Sequence, residues 1–328
     1  MLNRRLLLLS GFAAVALGVD RPDAATGLRK VGVLGSRRFD RDEPETAALI
    51  AELARLGYSE GRNLEFIDRH CGEALDRLDA LAAELVNLKV DVILPTHREA
   101  IPAARRVTSS IPIVMIGSAN PVREGWIQSF AHPGGNVTGN ASSATEVEVK
   151  ALELLIETLG KPKRLAYVVF TPFRQRPTVL EQIARLEATA GSAGVQLRTV
   201  DVPDGHALGK TFQSLADART EGVMLHSFAT KGLGADEVGA LMRYRLPTIV
   251  QQREFVQAGA LMSFTPNILE MYRRAAAYVA KVLNGAQPAD LPVELANRFE
   301  LVINLKTASA LGLKIPASVI LRADELIR

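Results

Sequence analysis

The chain has 328 residues, 48% of them apolar and 23% charged, with a formal net charge of +3. That length suits two ordinary domains or one large one, and the apolar share supports a buried core, which excludes a disordered chain and a collagen-like fibre. A single cysteine excludes an internal disulfide framework and a thiolate zinc cluster, and aromatic residues at 5% leave few stacking platforms for single-stranded nucleic acid.

The first residues read MLNRRLLLLSGFAAVALG: Arg4 and Arg5, an apolar run of about twelve, then small residues at Ala14, Ala16 and Gly18. This is the layout of a secretory signal, and it is short for a membrane span of ~20 residues. Residues 1–25 are therefore expected to be a signal peptide and leader, and the mature protein to be periplasmic. Removing 1–18 takes two arginines and no acid, so the formal charge falls from +3 to +1. A near-neutral mature chain points away from a nucleic-acid partner. Cys71 is then either a small buried hydrophobe or a reactive thiol.

Past the leader the pattern alternates. Residues 31–34 form an apolar strand, 46–56 a helix closed by Gly57, 63–67 a strand, and 75–88 a helix with Leu75, Leu78, Leu81, Ala82 and Leu85 on one face. A strand at 90–94, a helix at 100–108 and a strand at 113–116 follow. Strands apolar almost throughout are expected when helices cover both faces of a parallel sheet. Residues 131–140 break the rhythm with three glycines and a proline, a turn-rich crossing that also holds two sequons, at Asn136 and Asn140. The alternation then restarts: helix 146–159, strand 165–170, helix 178–193, strand 195–200, helix 207–218, strand 222–225, helix 236–244, strand 248–250. A strand at 261–264, a helix at 268–283, a strand at 299–303, a short helix at 307–311 and a final extended stretch complete it. This predicts an α/β protein of two similar lobes, with the gap between them as the ligand site.

Enzyme motifs are missing where they belong. The first strand runs into Gly35-Ser-Arg-Arg-Phe39 rather than G-x-G-x-x-G, and there is no phosphate-binding loop, H-E-x-x-H, G-x-S-x-G or EF-hand loop. The five histidines stand singly, without the spacing of metal ligands. Binding rather than turnover is expected, with no cofactor and no metal.

Leu56-Gly-Tyr-Ser-Glu-Gly-Arg-Asn63, Ile111-Pro-Ile-Val114, Pro133-Gly-Gly-Asn-Val-Thr-Gly139, Arg253-Glu-Phe-Val-Gln-Ala-Gly259, Leu261-Met-Ser-Phe-Thr-Pro-Asn267, Tyr272-Arg-Arg-Ala275 and Phe299-Glu-Leu-Val-Ile-Asn-Leu-Lys-Thr-Ala308 carry a resemblance. In matching order, from residue 30 to the C-terminus, the chain resembles the ABC-transporter substrate-binding proteins of the tryptophan-binding-like group. The resemblance implies a periplasmic-binding-protein type I fold: two Rossmann-like lobes with parallel sheets, joined by a three-segment hinge that closes on a small solute. It also implies an ABC permease and an ATPase as partners of a monomeric receptor. On this basis residues 28–142 plus 264–287 are expected in the N-terminal lobe, and 143–263 plus 288–328 in the C-terminal lobe. A ligand-sensing module for a membrane signalling receptor would share the fold, and an exported two-lobed enzyme is the third alternative.

In open parallel sheets ligands sit beyond the strand carboxyl ends, at the starts of helices. The candidates are Ser36 and Arg37 after the first strand, Thr96 and His97 after the third, and Ser118 and Asn120 after the fourth. In the second lobe they are Thr171 and Phe173, then His226 with Ser227, then Gln251, with Phe264 and Asn267 at a hinge crossing. Each has a plainer alternative: Ser118, Asn120 or Thr96 as caps, Arg37 as a solvated cation, Phe264 as hinge core. The loops Pro95-Thr-His97, Asn120-Pro121 and Thr171-Pro172 depart from the group's commoner phrasing. Where many relatives place an aspartate able to accept a ligand ammonium, Asn120 offers a neutral amide, which favours an uncharged or purely anionic solute.

Overall fold

The computed structural model describes residues 27–226 and 235–328. The expected signal segment 1–25 and the candidate Ser227 lie outside the described residues. The first half runs β1 (Arg29–Gly35), α1 (Pro44–Arg55), β2 (Leu64–His70), α2 (Leu78–Asn87), β3 (Val92–Pro95), α3 (Ala100–Val107), β4 (Ile113–Ala119) and β5 (Val137–Ser142). The second runs α4 (Ala144–Thr158), β6 (Arg164–Phe170), α5 (Thr171–Arg174), α6 (Pro177–Ser192), β7 (Gln196–Val202), α7 (Leu208–Asp217) and β8 (Gly222–Leu225). It continues with α8 (Ala235–Arg243), β9 (Thr248–Val250), α9 (Arg253–Ala258) and β10 (Met262–Pro266). The return comprises α10 (Ile268–Leu283), β11 (Glu294–Leu295), β12 (Phe299–Asn304), α11 (Leu305–Leu311), α12 (Ala317–Ile320) and β13 (Glu325–Ile327).

The strands form a six-stranded sheet, β11-β5-β4-β3-β1-β2, and a seven-stranded one, β13-β12-β10-β9-β8-β6-β7. All pairs are parallel except β10 with β12. Val31, Val33, Val92, Ile93, Leu94, Val114 and Met115 are completely buried or nearly so, because helices cover both faces. One face of the first sheet packs under α2 and α3, with Cys71 buried among its neighbours; the other packs under α1 and α10. In the second sheet α4 and α6 cover one face, and α7, α8 and α9 the other. Among the described residues no helix is long and apolar enough to cross a membrane.

Two features differ from the sequence reading. Residues 137–140, expected to belong to a turn-rich crossing at 131–140, are part of strand β5. Its Gly139 has φ +123, and a Cβ there would run into the Met115 carbonyl oxygen, so the bulged β4–β5 register needs glycine. The lobe boundaries also shift. Strand pairing puts residues 262–266 in the second sheet and 294–295 in the first, so the chain crosses after Ser142, after Pro266 and between Leu295 and Phe299.

The sequon asparagines serve the fold. Asn136 donates to the carbonyls of Thr108 and Ile111, at 3.2 and 2.8 Å. Asn140 is buried beside the crossings, its amide oxygen accepting from the Gly117 N–H and its amide nitrogen donating to the Met271 carbonyl, both at 2.9 Å. It ties the β4 bulge and β5 to α10. Asn140→Ala removes both bonds inside the core and is expected to cost about 2 kcal/mol in urea denaturation. A loss below a few tenths would mean that the bulge is held elsewhere.

Candidate functional site

In each sheet the chain reverses its direction of winding, between β1 and β3 in the first and between β6 and β8 in the second. Such switch points leave a crevice at the strand carboxyl ends. Here residues at the carboxyl ends of both sheets line one cavity of about 290 Å³, with Arg98, Asn120 and Ser142 from the first and Thr178, Gln182, Arg185 and His226 from the second. Residues Ser143 to Glu146, where the chain enters α4, close it on the crossing side, and Phe130, Val179 and Leu295 give it an apolar wall.

Its charged side chains are engaged. Arg98 pairs with Glu124 within the first lobe, and Arg185 with Glu146 at 2.8 Å. Two pairs bridge the lobes: Arg123 to Glu181, and Arg176 to Glu99 at 3.6 Å. Such part-exposed pairs contribute roughly 0–1 kcal/mol each, enough to bias lobe position without locking it.

Under the second lobe's side of the cavity lies a buried polar group. His226, 1% exposed, meets Tyr167 edge-on with ring centroids 6.0 Å apart. Glu148 accepts from Tyr167 Oη at 2.6 Å and from the Gln251 amide at 3.2 Å, and lies 4.0 Å from His226 Nε2. Burial, with the Glu148 carboxylate alongside, pushes the Tyr167 hydroxyl well above its usual pKa, so it remains a donor. Burial, reinforced by Arg176, lowers His226 to about 4, so the imidazole facing the cavity is neutral.

A smaller hollow of about 100 Å³ lies on the first lobe, lined by Ser36, Arg37, Thr96 and Tyr272 among others. Gly35 makes room for it, since a Cβ there would occupy the place of the Thr96 hydroxyl. Burial, then Glu45 and Glu43, pushes Tyr272 up to about 12.

The structure thus brings together two of the sequence-derived candidates, Asn120 and His226, in the cavity, and three more, Ser36, Arg37 and Thr96, in the smaller hollow. The others stand elsewhere. Ser118 is buried within the first sheet. The His97 ring accepts from the Glu99 N–H at 3.2 Å, shaping its own turn. Thr171 is exposed, and Phe173 lies against the Arg176 guanidinium at 4.7 Å. Gln251 supports Glu148, one layer behind His226. Phe264 is core, and Asn267 caps α10 by accepting from the Glu270 N–H at 2.9 Å. The sequence reading missed Arg98 and the polar residues of α6. Their signal was present: Thr178, Glu181, Gln182 and Arg185 recur at helical spacing, along one edge of the buried stripe Val179, Ile183, Leu186 and Ala190. Among the described residues no group of His, Cys, Asp and Glu could hold a metal ion.

Two doubly wound lobes joined by three crossings, with a cavity between their strand ends, define a binding protein of the type I periplasmic class. The chain belongs to the ABC transporter substrate binding protein family, whose sequence pattern matches residues 43–327. A curated relative, the tyrosine-binding protein of Clostridioides difficile, is 24% identical over 271 residues, covering 81% of this chain and 75% of that one. An ABC domain from Streptococcus pneumoniae solved in complex with L-Trp superposes with a TM-score of 0.78 at 21% identity, covering 92% of this chain and 100% of that one. A ligand-free, open substrate binding protein with adhesive properties from Clostridium difficile gives 0.73 at 19% identity, over 92% and 99% of the two chains.

Proposed function

We propose that this protein is the solute receptor of an ABC importer: exported through its N-terminal segment to the periplasm, it holds one small molecule between its lobes and presents it to a membrane permease driven by an ATPase. The observation that carries this reading is a cavity lined from both sheets at their carboxyl ends, with the crossings between them available as a hinge. A solute touching Asn120 and Arg98 on one lobe and Gln182 and His226 on the other favours the closed arrangement by its differential contacts. The bridging pairs Arg123–Glu181 and Arg176–Glu99 would form as the lobes meet. The family is one of solute binders, and release without chemical change is expected.

A thermal-shift screen of the mature protein against amino acids, organic acids, sugars and nucleosides tests this, followed by small-angle scattering with each hit. A true solute raises the melting temperature by mass action and lowers the radius of gyration as the lobes close. Hits that stabilise without compaction would defeat the hinge, and an empty screen across all four classes would defeat the receptor reading.

A further inference from the structure

The cavity holds more hydrogen-bonding capacity than the protein uses. Gln182 is only 5% exposed and lines it, yet its amide has no hydrogen-bond partner among the described residues. Its amide atoms are not sealed into the core but open to the cavity, where a guest can supply the partner the protein does not. The side chains of Asn120, Ser143, Thr145 and Thr178 line the same space and likewise have no hydrogen-bond partner among the described residues. All are neutral.

The backbone adds a sign. The helices α4 and α6, of 15 and 16 residues, both begin at this cavity, and neither has a side-chain cap. Among the described residues the N–H groups of Ala144, Thr145 and Glu146 find no acceptor, since the first bond of α4 runs from Val147 to the Ser143 carbonyl. Exposed N–H groups at a helix start carry partial positive charge and favour an anion. An ammonium has no such place. The lining carboxylates Glu146 and Glu181 are already paired with Arg185 and Arg123, and His226 is neutral.

Resting on the reading of this cavity as the solute site, we infer that the solute is a small organic carboxylate whose other polar groups are uncharged, a hydroxy acid rather than an amino acid. Its carboxylate sits at the start of α4 between the Ser143 and Thr145 hydroxyls, its neutral polar groups meet Gln182 and Asn120, and its hydrocarbon part lies against Phe130, Val179 and Leu295.

Calorimetric titration with matched triads tests the charge assignment: a 2-hydroxy acid, the 2-amino acid and the 2-hydroxy amide on the same skeleton, in three-carbon, four-carbon and phenylpropanoid sets. In at least one set the hydroxy acid is expected to bind at least tenfold more tightly than its two partners. An amino acid or amide that binds as well overturns the assignment and leaves the receptor reading intact. No binding in any set also overturns it; a sugar or nucleoside hit in the thermal-shift screen would then preserve the receptor reading, and an empty screen would end both. Gln182→Leu supplies an independent measurement. It is expected to weaken the hydroxy acid about tenfold while leaving the urea midpoint of the unliganded protein unchanged or raised. A lowered midpoint with unchanged affinity would make Gln182 a structural residue and overturn its part.

Discussion

Phe264→Ala is expected to lower the stability of the unliganded protein by about 3 kcal/mol, the scale for emptying a phenylalanine site in a packed core. β10 lies between β9 and β12, and the Phe264 ring is 9% exposed, packed in the core beneath α4 and stacked on Phe299 with centroids 5.4 Å apart and planes 19° from parallel. Phe299 belongs to the strand that returns from the first lobe, so the pair fastens two of the three crossings to one another. Truncating Phe264 removes buried area and the stack together, and repacking is limited by the strands on either side. Urea denaturation of the unliganded variant is the measurement. A loss under 1 kcal/mol, with solute affinity reduced instead, would return the ring to the role of cavity wall.

The place of Phe264 in the core shows what the sequence conveys and what it withholds. The strands of both sheets are legible because a parallel strand covered on both faces must be apolar at nearly every position, as in Val90 to Leu94 and Leu165 to Phe170. β5 is not legible, because Val137-Thr-Gly-Asn-Ala-Ser142 carries a glycine for close approach to Met115 and an asparagine for bonding α10, and such residues read as turn. Position after a strand locates Asn120 and His226 but does not settle which way a side chain turns. Thr96 folds under Gly35 into the first lobe, whereas Arg98, two residues on, enters the cavity. Asn267 has the spacing of an ordinary helix cap, with Glu270 three residues later, and that local use takes precedence over ligand contact. The polar stripe of α6 escapes because attention to apolar periodicity treats the polar residues that border a buried stripe as facing solvent.

Acidification is expected to destabilise the protein through His226, in a window set by its burial. The folded-state pKa of about 4 lies below the ordinary value of 6.5, so as pH falls past 6.5 the unfolded chain takes up a proton that the folded chain refuses. Folding free energy declines down to about pH 4, where the folded state begins to protonate as well and the decline ends. The gap between the two values corresponds to about 3 kcal/mol lost across that range. Carboxylates titrate in the lower half of the same range, so the wild-type profile alone is not diagnostic. His226→Gln keeps an amide of similar reach beside Tyr167 and Glu148 and removes the imidazole, and the difference between the two profiles isolates the histidine. That difference should favour the variant increasingly from pH 6.5 to pH 4 and stay level below. A flat difference would mean that His226 protonates in the folded state, accepted by the Glu148 carboxylate 4.0 Å away, and the cavity would then present a cation to its guest at mildly acidic pH.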